Sequence, residues 1–172
     1  MVLDVVAEMD APIVAEVDVH LDGLLTWAAA VEAGLPPLTR ATDLGAVPHV
    51  EIPIPFVTYI AGNRSERIPL ASAWSVSPDA TPYRHDWIRR RDGGDIERLS
   101  RSFDPAFGPG RDLLRRGYGV ATPWVSWRIA TTDPATIEAL LQRVTHIGRL
   151  RVHGLGAVRR WRVTPSTAPT SS

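Results

Sequence analysis

Apolar and polar residues alternate at the start of the chain, where every second residue from Leu3 to Met9 is apolar. Strict alternation is typical of a strand with one buried face, so residues 2–9 are predicted to form a strand. The spacing then changes to that of an amphipathic helix, whose apolar positions are Leu21, Leu24, Leu25 and Ala28. This helix is predicted to end at Gly34, because glycine followed by Leu-Pro-Pro is a common stop pattern.

The same two periods return near the C-terminus. Alternation over residues 124–130 predicts a half-buried strand, whose apolar face carries Val125, Trp127 and Ile129. Asp133-Pro134 is a preferred N-cap followed by a preferred first helical residue, and a helix is predicted to run from there to Gly148. Its apolar stripe consists of Ile137, Leu140, Leu141, Val144 and Ile147. A last strand is predicted over 155–163, and the polar residues 164–172 are predicted to be disordered.

The middle of the chain, about residues 38–123, has no clear period. Residues 51–60 are predicted to be an edge strand or an irregular arm, because they contain two prolines. A short strand is predicted over 68–76, and the glycine- and proline-rich residues 92–123 are predicted to form long loops. The β-α start and the β-α-β end indicate one α+β domain of the ferredoxin-like kind over residues 1–163, with the middle as an insertion.

Composition narrows the class of protein. A chain of 172 residues with 44% hydrophobic residues fits one domain with a proper core, and no apolar run is long enough for a membrane span. The absence of cysteine excludes disulfides and thiolate metal sites. The first residues lack the basic region of a secretory signal, so we expect a cytoplasmic protein.

A net charge of zero hides a division along the sequence. Residues 1–62 hold nine acids and one arginine, a balance of −8, whereas residues 63–172 hold eighteen arginines and ten acids, a balance of +8. This division predicts an acidic face for protein partners and a basic face for an anionic ligand. All nineteen basic residues are arginine. A GC-rich genome would also favour arginine, but in either case every basic contact is a guanidinium.

Residues 148–162 combine five arginines with three glycines and one histidine. Glycine allows close backbone approach, and guanidinium groups suit phosphates, so this segment is a candidate RNA-binding loop. Its candidate residues are Gly148, Arg149, Arg151, His153, Gly154, Gly156, Arg159 and Arg160. The alternative is a tight helix-to-strand turn with solvated arginines. Dinucleotide and P-loop motifs do not fit, because the glycines follow a helix and the chain has no lysine.

A second basic segment, residues 83–91, interleaves aromatic rings with arginine. That mixture is typical of surfaces that bind single-stranded nucleic acid. Its candidate residues are Arg84, His85, Trp87, Arg89, Arg90 and Arg91. The alternative is a solvated basic loop in which Trp87 is a buried anchor.

Enzyme chemistry receives less support from the residues. His85 and His153 could each activate a ribose 2′-hydroxyl for RNA cleavage, although a structural or RNA-contacting histidine is the commoner case. The five histidines lack metal-ligand spacing, and no nucleophile elbow or carboxylate cluster occurs. We therefore expect binding without catalysis, a metal or another cofactor.

The end of the chain resembles the glycine-rich loop of the RAMP superfamily of CRISPR-associated proteins. The resemblance rests on His-Ile-Gly148, on Arg149-Leu-Arg-Val-His-Gly154-Leu-Gly156, and on Val158 and Trp161. Other similar segments are spread over residues 1–163, at 21–27, 52–55, 71–74 and 87–90. Within the superfamily the chain is most similar to the type IV effector subunit of the five-family kind.

The resemblance implies a ferredoxin-like domain with an arm or thumb insertion. It implies a subunit that binds the crRNA 5′ handle without cleaving it and contacts the first backbone subunit and other proteins of the effector complex. Target nucleic acid is a further candidate partner. Some RAMP relatives cleave repeat RNA, so a metal-independent endoribonuclease is one alternative, and a purely structural assembly subunit is another.

Overall fold

The computed structural model describes residues 1–15, 18–34, 54–55, 57–60, 67–69, 71–89 and 113–167. In chain order, the elements of these residues are β1 (Val2–Met9), β2 (Ile13–Val14), α1 (Leu21–Glu32), β3 (Thr58–Ile60), β4 (Arg67–Pro69), β5 (Ser75–Val76), β6 (Thr81–Arg89), β7 (Leu113–Ala121), β8 (Trp124–Ala130), α2 (Pro134–Leu141) and β9 (Val158–Pro165). A 3₁₀ helix covers Arg151–His153. Two helices combined with antiparallel sheets make the described part an α+β structure.

The main sheet has four strands in the order β5-β8-β1-β9. β1 is one of its two inner strands and is antiparallel to both β8 and β9, with Val5 opposite Trp127 on one side and opposite Val163 on the other. The alternation predicted for β1 and β8 is confirmed, because every position predicted to lie on their apolar faces is at most 7% exposed. One face of the sheet therefore packs into the core.

Both helices contribute to the core on that face. Leu25 of α1 and Ile137 of α2 are fully buried together with the apolar side chains of β1 and β8. Burying a side chain of this size stabilises the fold by roughly 1.5–3 kcal/mol. Trp127 and Trp161 are also buried, and their indole N–H groups donate to the carbonyls of Val19 and Val144. Neither described helix is long and apolar enough to cross a membrane.

The second helix begins as predicted and ends earlier. The Asp133 carboxylate caps it by accepting hydrogen bonds from the backbone N–H groups of Ala135 and Thr136. The helix stops at Leu141 rather than continuing to Gly148. Val144 and Ile147 are still buried, but the Ile147 N–H donates to the Gly156 carbonyl instead of to a helical partner. The apolar spacing therefore continues beyond the helix.

The loops predicted over residues 92–123 are wrong where the structure describes them. Residues Leu113–Ala121 form β7, which pairs with β6 from Thr81 opposite Ala121 to Arg89 opposite Leu113. Gly117 and Gly119, two of the glycines that favoured a loop, lie inside this strand. A Cβ at Gly119 would overlap the Ile13 carbonyl, so this glycine allows β2 to approach β7.

Three other boundaries differ from the prediction. The last strand begins at Val158 and ends at Pro165, so the tail predicted to be disordered begins too early. The next residue, Ser166, still donates its N–H to the Val2 carbonyl. Residues 68–76 form no single strand: β4 pairs with β3, and β5 joins the edge of the main sheet. Part of the predicted insertion therefore belongs to the main sheet.

Candidate nucleic-acid interface

Strand β6 carries three rings on one face. Tyr83, His85 and Trp87 follow one another at every second residue, with ring centroids 6.5 Å and 5.8 Å apart and interplanar angles of 18° and 24°. We call these three residues the aromatic ladder. The rings are half-buried, whereas the intervening Arg84 and Asp86 are exposed. The ladder follows directly from the two-residue period of a strand.

The glycine loop, residues 148–156, is held in place by its own backbone. Gly148 has a φ of +82°, and its neighbour Arg149 donates its N–H to the Val14 carbonyl at 2.8 Å. Gly156 has a φ of +72° and donates its N–H to the Pro12 carbonyl at 2.8 Å. A Cβ at Gly156 would overlap the Ile147 carbonyl, and one at Gly148 would lie 2.6 Å from the Val14 carbonyl.

All three glycines of the loop were expected to allow close approach of a ligand. At Gly148 and Gly156, however, it is the protein's own backbone that approaches closely. Only Gly154, with a φ of +74° and no described atom within 4 Å of a Cβ, faces open space. Between Gly148 and Gly154, the 3₁₀ helix projects its side chains outward, and Val152 is 94% exposed.

The glycine loop and the aromatic ladder meet through their histidines. His85 Nε2 lies 3.3 Å from His153 Nδ1. The His153 ring also packs edge-on against Trp87, with centroids 5.8 Å apart. A Cβ at Gly117 would lie 2.8 Å from the Val14 side chain and 3.3 Å from Trp87, so the glycine leaves room for these two side chains beside β7. Two segments that are separate in the sequence thus form one cluster.

Arginine also contacts an aromatic ring at the edge of this cluster. The guanidinium of Arg151 lies 5.5 Å from the ring centroid of Trp27 on α1, which is 37% exposed. A guanidinium over an indole face is a cation–π contact and keeps its edge N–H groups available to phosphate. Arg115 lies opposite Trp87 in the hairpin register and is exposed. Sequence analysis did not choose Trp27 as a site residue, because its contact with Arg151 depends on how α1 packs beside the loop.

Strand alternation separates Arg84 from the aromatic ladder. Arg84 lies on the other face of β6 and forms an ion pair with Asp86. The hydrogen bond from Arg84 lowers the pKa of the Asp86 carboxyl and raises the pKa of the Arg84 guanidinium. Arg89 ends β6, but its side chain lies outside the described part, and the predicted contacts of Arg90 and Arg91 also fall outside it.

Arg159 and Arg160 lie on β9 rather than in the loop. The Arg159 guanidinium pairs with Asp10 at 2.6 Å, and Arg160 pairs with Glu8 at 2.9 Å. Glu8 also pairs with Arg162. The hydrogen bond from Arg160, with the nearby charges of Arg162 and Arg159, lowers the pKa of the Glu8 carboxyl. These arginines are engaged with acids that come about 150 residues earlier in the chain.

The predicted separation into an acidic and a basic face is wrong for the residues that the structure describes. Acids from the first part of the chain pair with arginines from the second part, as Asp4 does with Arg128 at 2.9 Å and Glu32 with Arg143 at 3.1 Å. Antiparallel pairing of β1 with β8 and β9 places the two halves side by side. Charge that is divided along the sequence is therefore mixed on the surface.

The described residues contain no group of three or more side chains placed to bind a metal ion. No known protein-family model matches the chain, and the search of curated proteins also found no match.

The cluster can offer π faces for stacking, imidazole nitrogens for hydrogen bonds, and guanidinium groups for phosphates. Those groups suit an unpaired nucleic-acid strand.

Proposed function

We propose that the protein is a non-catalytic RNA-binding subunit of a type IV CRISPR ribonucleoprotein complex. It holds the crRNA 5′ handle and contacts the first backbone subunit. The observation that carries the RNA-binding part is the contact between the aromatic ladder and the glycine loop, through His85 and His153 at 3.3 Å. The assignment to a CRISPR complex rests on the resemblance of residues 146–161 to the RAMP glycine-rich loop.

The order of the elements supports the fold that this proposal requires. A β-α-β-β-α-β succession can be followed through β1, α1, β5, β8, α2 and β9, and these strands share one antiparallel sheet. That succession is the one expected of a ferredoxin-like domain. On this interpretation the β6–β7 hairpin, which is inserted between β5 and β8, is the arm.

RNA binding in this proposal combines stacking with phosphate contacts. Unpaired bases stack on Trp87 and Tyr83, while Arg149 and Arg151 contact the phosphates of the same strand. Each phosphate contact releases a counterion when the RNA binds. For a single strand, each contact therefore lowers the logarithm of the affinity by about 0.7 for a tenfold increase in salt concentration.

Charge reversal in the glycine loop tests the proposal. We expect Arg151→Glu to weaken RNA retention, and Arg149→Glu with Arg151→Glu to abolish it, because each change replaces a phosphate contact with repulsion. The measurement is purification of the tagged protein with co-expressed genomic neighbours, followed by sequencing of the retained RNA. With the wild-type protein, we expect to recover short RNAs that share one 5′ end.

Arg143→Glu is the matched control. Arg143 is half-exposed, pairs with Glu32 and belongs to neither the aromatic ladder nor the glycine loop, so the same charge change should leave RNA retention intact. Recovery of the neighbours without RNA, or equal retention by the Arg151 and Arg143 variants, would contradict the proposal and favour the structural assembly subunit.

The histidine contact also favours a second candidate function, a metal-independent endoribonuclease. Two imidazoles within hydrogen-bond distance could serve as base and acid when a 2′-hydroxyl attacks the adjacent phosphate. A denaturing gel of repeat RNA in EDTA distinguishes the candidates. Site-specific cleavage that is lost in both His85→Ala and His153→Ala would replace the non-catalytic proposal.

A further inference from the structure

The main sheet has a second face, opposite to the face that packs on α1. Along β1 the side chains of Asp4, Val6 and Glu8 point to this face, while the residues between them are buried in the core. A groove of about 730 Å³ lies over it, and the described residues leave the groove open. Six of the residues that line it are Asp4, Val6, Trp74, Trp124, Arg128 and Arg162.

Two indoles form part of the groove. A hydrogen bond holds the Trp74 ring in place: its Nε1 donates to Asp18 Oδ1 at 2.8 Å. Asp18 lies 56 residues earlier in the chain. Trp124 begins β8 and lies opposite Glu8 in the sheet register. Both side chains are half-buried. They provide stacking surface at a low cost in conformational entropy, because a tryptophan has few rotatable bonds.

The charged groups of this face are mostly in ion pairs, yet their guanidinium N–H donors outnumber the carboxylate acceptors that pair with them. Arg128 Nε binds Asp4 Oδ1 at 2.9 Å, and Arg162 and Arg160 share Glu8. Three arginines against two acids give the described residues of this face a charge of +1. A guanidinium has five N–H groups, so one carboxylate does not use all of its donors.

We propose that this groove binds an unpaired nucleotide of a single-stranded nucleic acid. The base stacks on the indole of Trp74 or Trp124, and the phosphate meets Arg128 and Arg162. The single negative charge of a phosphodiester matches the excess charge of the face, and the volume falls within the roughly 300–1,000 Å³ of small-ligand sites. A four-stranded sheet that stacks bases on exposed aromatic rings is an established form of single-strand recognition.

The residues that line the groove suit a nucleotide better than a peptide strand. A docked peptide would set apolar side chains against ion pairs along most of the groove, and its backbone would meet few unpaired partners there. Ser126 and Thr164 also line the groove. A hydroxyl can both donate and accept, so these residues suit a ribose or a base edge. The groove shares no residue with the aromatic ladder or the glycine loop, so this inference stands independently of the proposed function.

Photo-crosslinking of the wild-type protein locates the site directly. A hexauridine that carries 5-iodouridine is irradiated with the full chain, and the adducts are mapped by mass spectrometry. We expect adducts on the peptides that contain Trp74 or Trp124. Adducts confined to peptides of the β6–β7 hairpin and the glycine loop would overturn the proposal.

Two matched substitutions separate this groove from the proposed RNA site. Trp124→Leu removes a π face from the groove, and Trp87→Leu removes one from the aromatic ladder. We expect Trp124→Leu to weaken binding of fluorescein-labelled hexauridine about tenfold, by anisotropy, both in the wild-type chain and in the Trp87→Leu background. Unchanged affinity in both backgrounds would refute the groove, whereas an effect of Trp124→Leu without any effect of Trp87→Leu would refute the ladder.

Discussion

At the scale of single residues, the glycine loop holds two kinds of glycine. Gly156 and Gly154 have nearly the same backbone conformation, with φ values of +72° and +74°. Their surroundings differ, because a Cβ at Gly156 would overlap the Ile147 carbonyl and one at Gly154 would meet no described atom within 4 Å. Backbone conformation and close packing can therefore be measured separately in one loop.

We expect Gly156→Ala to lower the free energy of unfolding by about 2–4 kcal/mol, because backbone strain and a steric clash add together. Gly154→Ala is the control and should cost only the strain of a left-handed alanine, about 1–2 kcal/mol. Urea denaturation of the two variants and the wild type measures both values. Equal losses would show that the Ile147 carbonyl moves aside without cost.

At the scale of elements, the β6–β7 hairpin depends on glycine in a different way. Gly119 lies opposite Val14 in the strand register, and its missing side chain lets β2 cross close to β7. This short pairing joins the hairpin to the rest of the described structure, and it carries the aromatic ladder toward His153. The geometry of the cluster therefore rests on a two-residue strand.

We expect Gly119→Ala to release β2 from β7, because the added methyl group would overlap the Ile13 carbonyl. Hydrogen exchange should then lose amide protection in Ile13, Val14 and β7, while the main sheet keeps its protection. Gly23→Ala is the control: a Cβ at this α1 position meets no described atom within 4 Å, and alanine is the better helix former. Unchanged protection in Gly119→Ala would show that β2 does not hold the hairpin.

Prediction from sequence succeeded for elements whose period and burial agree. β1, β8 and α1 were found because each has one apolar face, and that face packs on the core. The end of α2 was misplaced because Val144 and Ile147 remain buried after the helix stops. The β6–β7 hairpin was missed because its face is covered by a loop and a short strand rather than by the core.

The candidate site was predicted residue by residue but not as an arrangement. His85 and His153 both lie in the chosen segments, yet their contact spans 68 residues. Arg84 and Arg160 were chosen for their charge alone, whereas strand alternation and nearby acids commit them to ion pairs. Spacing along the chain carries no information about such distant partners.

At the scale of the whole molecule, the interleaving of the two charged halves affects its response to acid. The pKa values of Glu8 and Asp86 are lowered by hydrogen bonds from Arg160 and Arg84. The pKa of Asp133 is lowered by hydrogen bonds from the hydroxyl and the N–H of Thr136. All three carboxyls therefore favour their ionised forms in the folded chain.

We expect the melting temperature to fall as the pH drops below about 4. A carboxyl with a lowered folded pKa binds a proton more readily in the unfolded chain, so its stabilisation is complete above the ordinary values of 4.5 for Glu8 and 3.8 for Asp86 and Asp133. That stabilisation is lost as the pH falls through the lowered values. Calorimetry of the wild type and Glu8→Gln measures the effect, and the variant should show a shallower decline. A melting temperature that stays constant down to about pH 2 would contradict it.

The central position of β1 has a consequence for how the chain is made. β1 leaves the ribosome well before its two neighbours, β8 and β9, and Leu3 pairs with both Ile129 and Pro165. No partial product that stops before β8 can close the main sheet, and one that stops before β9 leaves an open edge on β1. Such long-range pairing is slow and exposes strand edges while it waits. The main sheet is therefore completed only after β9 has been synthesised.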